Sequence, residues 1–108
     1  MDIETLRAYV LSLDDVEETF PFGDNILVFK TNAKAFLLVP LDTEQLRFNV
    51  KCEPDYAIEL REQYSSILPG FHMNKKHWNT VIIDGTLTND QLKQFILDSY
   101  ELIKKRHK

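Results

Sequence analysis

The sequence has no carboxylate between Glu62 and Asp84, although the 108-residue chain carries a formal net charge of -4. Other absences bound the problem further. No stretch approaches the roughly 18 consecutive apolar residues of a membrane-spanning helix. The start, Met1-Asp2-Ile3-Glu4-Thr5, places acids where a secretory signal would carry basic residues and an apolar run. One cysteine, Cys52, leaves no internal disulfide to form, and a reducing cytoplasm is the expected setting. Repeats, low-complexity tracts and linker-like runs are missing, so residues 1–108 read as one domain. No glycine-rich phosphate loop, serine elbow or P-loop occurs, and no acid, base and nucleophile set can be assembled. The expectation is a non-enzymatic domain without a cofactor.

The charge that is present is segregated. Residues 1–24 hold seven acids (Asp2, Glu4, Asp14, Asp15, Glu17, Glu18, Asp24) against Arg7 alone. The remainder holds twelve bases and ten acids. Net negative charge argues against strong non-specific nucleic-acid binding, but segregation leaves room for a basic face.

Periodicity gives the coarse architecture. Ile3, Leu6, Tyr9, Val10 and Leu13 recur at helical spacing, which predicts an amphipathic helix over residues 2–13. Val16 to Phe20, Ile26 to Lys30 and Ala35 to Val39 read as strands, the last two joined by a hairpin turn at Thr31-Asn32-Ala33-Lys34. Leu46 to Lys51 alternates without exception and sets Arg47, Asn49 and Lys51 on one sheet face, open to a ligand or merely solvated. Pro54 opens a helix over 54–65, Trp78 to Ile83 is a strand, and Thr88 with Gln91 forms a capping box. The last helix, near 89–105, buries Leu92, Phe95, Ile96, Ser99, Leu102 and Ile103 and runs into Lys104-Lys105-Arg106-His107-Lys108. The expected order α-β-β-β-β-α-β-α makes an α+β fold, an antiparallel sheet with helices on one face.

The acid-free segment concentrates the candidate chemistry. Pro69 to Thr80 contains two lysines, two histidines, two asparagines and the single tryptophan. Lysines neutralise phosphates, Asn reaches phosphate or base edges, and Trp offers a stacking face. Lys51, Lys75 and Lys76 are expected to supply charge, Lys34 and Arg47 to flank them, and Asn74 and Trp78 to add polar and stacking contact. Trp78 reads equally as a core residue of its strand, and Lys75 and Lys76 as solvated. His72 and His77 enclose two lysines where metal ligands would be wanted, and no metal is expected there. Cys52 reads as a small, unreactive thiol. The Pro40–Gln45 connection carries two acids and no base, so it offers phosphate nothing.

Several blocks resemble the MmcQ/YjbR family of small bacterial domains. They are Thr19-Phe20-Pro21-Phe22-Gly23-Asp24, Lys34-Ala35-Phe36, Asn49-Val50-Lys51-Cys52-Glu53-Pro54, Pro69 through Val81, and Asp98-Ser99-Tyr100. The resemblance implies a CyaY-like α+β sandwich and a role in DNA binding through double wings. The same fold includes iron-binding frataxins with acidic ridges, so Asp14, Asp15, Glu17 and Glu18 read either as weak ligands for hard cations or as a solvated surface. A protein partner or a small anion is the alternative ligand to DNA.

Overall fold

Asp2 starts the first helix. Its carboxylate accepts the Thr5 N–H at 2.7 Å, and α1 then runs Ile3–Leu11. The computed structural model describes residues 1–106, so His107 and Lys108 of the basic tail lie outside the described residues. The following elements are β1 Glu17–Thr19, β2 Ile26–Thr31, β3 Lys34–Pro40, β4 Arg47–Lys51, α2 Pro54–Gln63, β5 Ile67–Pro69, β6 Trp78–Ile82 and α3 Asn89–Arg106. Six strands form one antiparallel sheet in the order β1-β2-β3-β4-β6-β5.

The α+β expectation holds, with one added strand. β5 has three residues, too few to show alternation, and it ends in Pro69. It becomes a strand only by pairing with β6, Ile67 opposite Val81 and Pro69 opposite Asn79. Proline suits this edge position because no further strand asks for its missing N–H.

Two side-chain devices set how the helices meet the sheet. The capping box forms as expected, with Gln91 N–H on Thr88 Oγ1 and Thr88 N–H on Gln91 Oε1. Farther along α3, Ser99 Oγ donates to the Phe36 carbonyl at 2.6 Å and accepts the Lys51 N–H at 2.9 Å. That one hydroxyl joins α3 to both β3 and β4. Tyr100 packs its ring edge-on to Phe36 and is buried, whereas Leu102 is only half-buried. The core lies on the helix side: Leu6 and Val10 of α1, Leu60 of α2, and Leu92, Phe95 and Ile96 of α3 close over Leu27, Phe29, Leu37, Val39, Phe48 and Val50. Strand alternation sends the intervening residues to the other face, which carries no helix.

Candidate functional site

The helix-free face is read from the register. Thr19 pairs with Val28, Val28 with Leu38, Leu38 with Asn49, Asn49 with Thr80 and Thr80 with Leu68, one row across all six strands. Over this row lies a cleft of about 710 Å³. Its floor includes Ile26, Leu38, Pro40, Asn49 and Thr80. Phe22 and Phe71 stand at its rim, 68% and 64% exposed, with His72 and Met73 beside Phe71. Arg47, Asp42 and Thr43 complete the lip at the end where β4 begins.

Three hydrogen-bonding groups fix the polar part of the floor. The Phe71 N–H donates to Thr80 Oγ1 at 2.9 Å, and the Thr80 hydroxyl donates to Asn49 Oδ1 at 2.5 Å. Thr80 is buried, and Asn49 is only 5% exposed. Phe71 is thereby tied to the sheet although its ring is free. The next residue, His72, adopts φ 60°, a left-handed conformation that turns the chain where the Phe71 and His72 rings meet at 4.2 Å.

The rest of the acid-free segment stays at the opposite end of the strands. Asn74 closes a turn in which its Oδ1 accepts the Lys76 N–H and its carbonyl accepts the Trp78 N–H. Lys75 is exposed, donates from Nζ to the Gly70 carbonyl at 3.1 Å, and receives Arg61 Nη2 on its own carbonyl. Lys76 is exposed. Trp78 is half-buried at the start of β6, paired across the ladder with Lys51. Gly70 is the hinge of this packing. A Cβ there would stand 2.8 Å from Trp78 Cβ and 2.9 Å from the Trp78 carbonyl.

Of the residues singled out in the sequence, Lys51, Lys75, Lys76, Asn74 and Trp78 gather where β4 ends and β6 begins. Lys34 is exposed at the β2–β3 hairpin on the same end of the sheet. Arg47 lies at the other end of β4, about 13 Å away along the strand by the usual rise per residue. It shares the cleft with Asn49, as strand alternation predicts, whereas Lys51 does not line it. Lys51 instead borders a cavity of about 10 Å³ with Cys52, Tyr56 and Asp98. Asn79 turns to the helix side and donates to the Ala57 carbonyl of α2 at 3.3 Å.

Sequence reasoning did not select Phe22, Phe71 or Thr80. The available signal was an aromatic beside glycine in each of two turns, Pro21-Phe22-Gly23 and Pro69-Gly70-Phe71. Such a residue has no strand or helix face to bury it. In the acidic first segment, Glu18 is taken by Arg7, whose Nε lies 2.6 Å from Glu18 Oε2, and Asp15 by Lys104 at 3.1 Å.

These features define a small α+β domain that keeps all three helices on one side of its sheet and turns the other into an aromatic-rimmed binding face. The chain belongs to the YjbR family, whose model matches residues 11–102. It is 36% identical over 104 residues to the uncharacterized protein YbdF of Escherichia coli O157:H7, covering 93% of this chain and 82% of that protein. It is 29% identical over 101 residues to the uncharacterized protein YjbR of Escherichia coli strain K12, covering 94% and 86%. The crystal structure of Deinococcus radiodurans protein DR2400, domain DUF419, superposes with a TM-score of 0.90 at 38% identity, covering 95% of this chain and 78% of that one. A Pseudomonas syringae protein superposes with a TM-score of 0.82 at 26% identity, covering 94% and 98%.

Proposed function

We propose that this domain is a non-enzymatic module that binds single-stranded nucleic acid across its helix-free face. The observation that carries the reading is how the acid-free segment divides. Phe71, His72 and Met73 line the cleft, while Lys75 and Lys76 stay exposed beside Trp78 and Lys51. Bases would stack on the rim aromatics, and Lys51, Lys75 and Lys76, flanked by Lys34, would meet phosphates. Arg47 would meet a second phosphate or a base edge at the far lip. A concave face suits an unstacked base better than a duplex, whose grooves ask for a projecting element.

A second reading is a short anionic ligand in place of a polymer. Asp42 on the lip and the chain's net charge of -4 favour it, since both repel a long run of phosphates.

Fluorescence anisotropy with a labelled single strand and its duplex, at several salt concentrations, tests the proposal. The single strand should bind more tightly. Lys75→Ala combined with Lys76→Ala should lower the affinity and flatten the slope of log affinity against log salt by up to about 1.4 units. Because Lys75 also ties down the loop, circular dichroism and Trp78 fluorescence must show the variant folded first. No binding of either polymer at low salt would sink the nucleic-acid reading and leave the short anionic ligand. Tighter binding of the duplex would overturn the single-strand assignment.

A further inference from the structure

We infer that the cleft is a pocket for a single oxo-bearing base, read by Asn49 acting only as a donor. The inference takes its ligand class from the nucleic-acid reading, but concerns the cleft floor alone. The orientation of the Asn49 amide follows from proton counting. Thr80 Oγ1 already accepts the Phe71 N–H, and its single proton then needs an acceptor, which Asn49 Oδ1 supplies. Were the amide reversed, the Thr80 hydroxyl and the Asn49 Nδ2 would bring two donors together on a buried floor. Oδ1 is therefore spoken for, and both Nδ2 hydrogens remain.

Asn49 is 5% exposed and lines the cleft, and among the described residues no hydrogen bond is made by its Nδ2. A ligand that displaces water from such a group must bring an acceptor, or affinity is lost. Asparagine reads adenine by a bidentate pair that needs both its amide oxygen and its nitrogen. With Oδ1 engaged by Thr80, that pairing is closed, and adenine's amino group would meet donor with donor. Carbonyl oxygens of uracil, thymine or guanine fit instead. The remaining lining agrees: Phe22 and Phe71 offer flat faces, and Arg47 offers a cation for the phosphate. The volume, about 710 Å³, lies within the usual range of small-ligand clefts, about 300–1,000 Å³.

The test titrates the whole protein with 5′-UMP and 5′-AMP, following heat by calorimetry and side-chain amide signals by NMR. UMP should bind about tenfold tighter than AMP, the worth of one hydrogen bond made against one opposed. The Asn49 side-chain NH₂ pair, assigned by its loss in Asn49→Ser, should shift with UMP. Asn49→Asp, which presents an acceptor in place of the donor, should erase or reverse the preference. Should that variant fail to fold, the wild-type amide shift still decides the matter. Equal affinities, or an unmoved Asn49 pair, would overturn the inference, while retained single-strand binding would leave the proposed function standing. UMP preference without any oligonucleotide binding would support the inference and overturn the polymer reading. No response to either nucleotide or to oligonucleotides would overturn both.

Discussion

Cys52 is half-buried in the turn between β4 and α2, and burial, with Asp98 and Glu53 nearby, pushes its thiol up to about 11. The thiolate is the reactive form, so at pH 8 the folded protein should be alkylated by iodoacetamide roughly a hundredfold more slowly than an ordinary cysteine. A labelling time course followed by mass spectrometry checks this. The shift also has a stability consequence. Folding favours the neutral thiol, so this contribution is intact below the ordinary thiol value and is lost as pH rises from about 9 towards 11. Asp84 behaves in the opposite sense. The Thr86 hydroxyl and N–H and the Ser66 hydroxyl all donate to its carboxylate and hold its pKa below the usual value. Stability from this group is present above the ordinary carboxylate range and is lost as pH falls through the lowered value. Asp84→Asn should therefore melt below wild type at pH 7, and the gap should close below about pH 4. At Gly70 steric contact is the governing term. Gly70→Ala should destabilise by about 1–3 kcal/mol in urea titration, because the new methyl meets Trp78 and a backbone carbonyl.

At the scale of elements, the β2–β3 hairpin turns through Asn32 at φ 52° and Ala33 at φ 61°. Two positive φ values belong to the turn that matches strand twist, and Asn tolerates this where alanine does not. Ala33→Gly should stabilise by up to about 1 kcal/mol, read as a higher urea midpoint at an unchanged slope. Ser99 is the counterpart on α3. Ser99→Ala leaves the Phe36 carbonyl and the Lys51 N–H without their partner and should cost about 1–3 kcal/mol by the same measurement. The amphipathic faces of α1, α2 and α3 and the alternation of β4 are visible in the sequence because each repeats a local period. β5 is not visible, because three residues carry no period and only β6 gives them a partner. Likewise, Tyr100 replaces Leu102 in the core because Phe36 lies across from it, which no single-helix pattern encodes.

At the scale of the molecule, no helix among the described residues is long and apolar enough to cross a membrane. The acidic segment divides its work: Glu18 pairs with Arg7 of α1, while Asp15 pairs with Lys104 of α3. Both pairs are largely solvent-facing, where single ion pairs contribute about 0–1 kcal/mol. Removing Arg7 should thus shift the urea midpoint little, and a large loss would show that the β1 edge depends on this contact. The candidate site was half legible. Arg47 and Asn49 share a face because side chains alternate along a strand, and that rule is local. Lys75 and Lys76 stand out because acids are absent around them for twenty residues. By itself, then, the sequence determined the element types, the hairpin turn, the cap of α3 and the acid-free segment, all of which depend on neighbours a few residues apart. Only the tertiary structure decided which sheet face the helices would leave open. It alone brought Phe22 and Phe71, from turns at distant points of the chain, to the rim of one cleft. It also fixed the Asn49 amide through Thr80, 31 residues away, because a hydrogen bond across paired strands depends on register rather than on sequence distance.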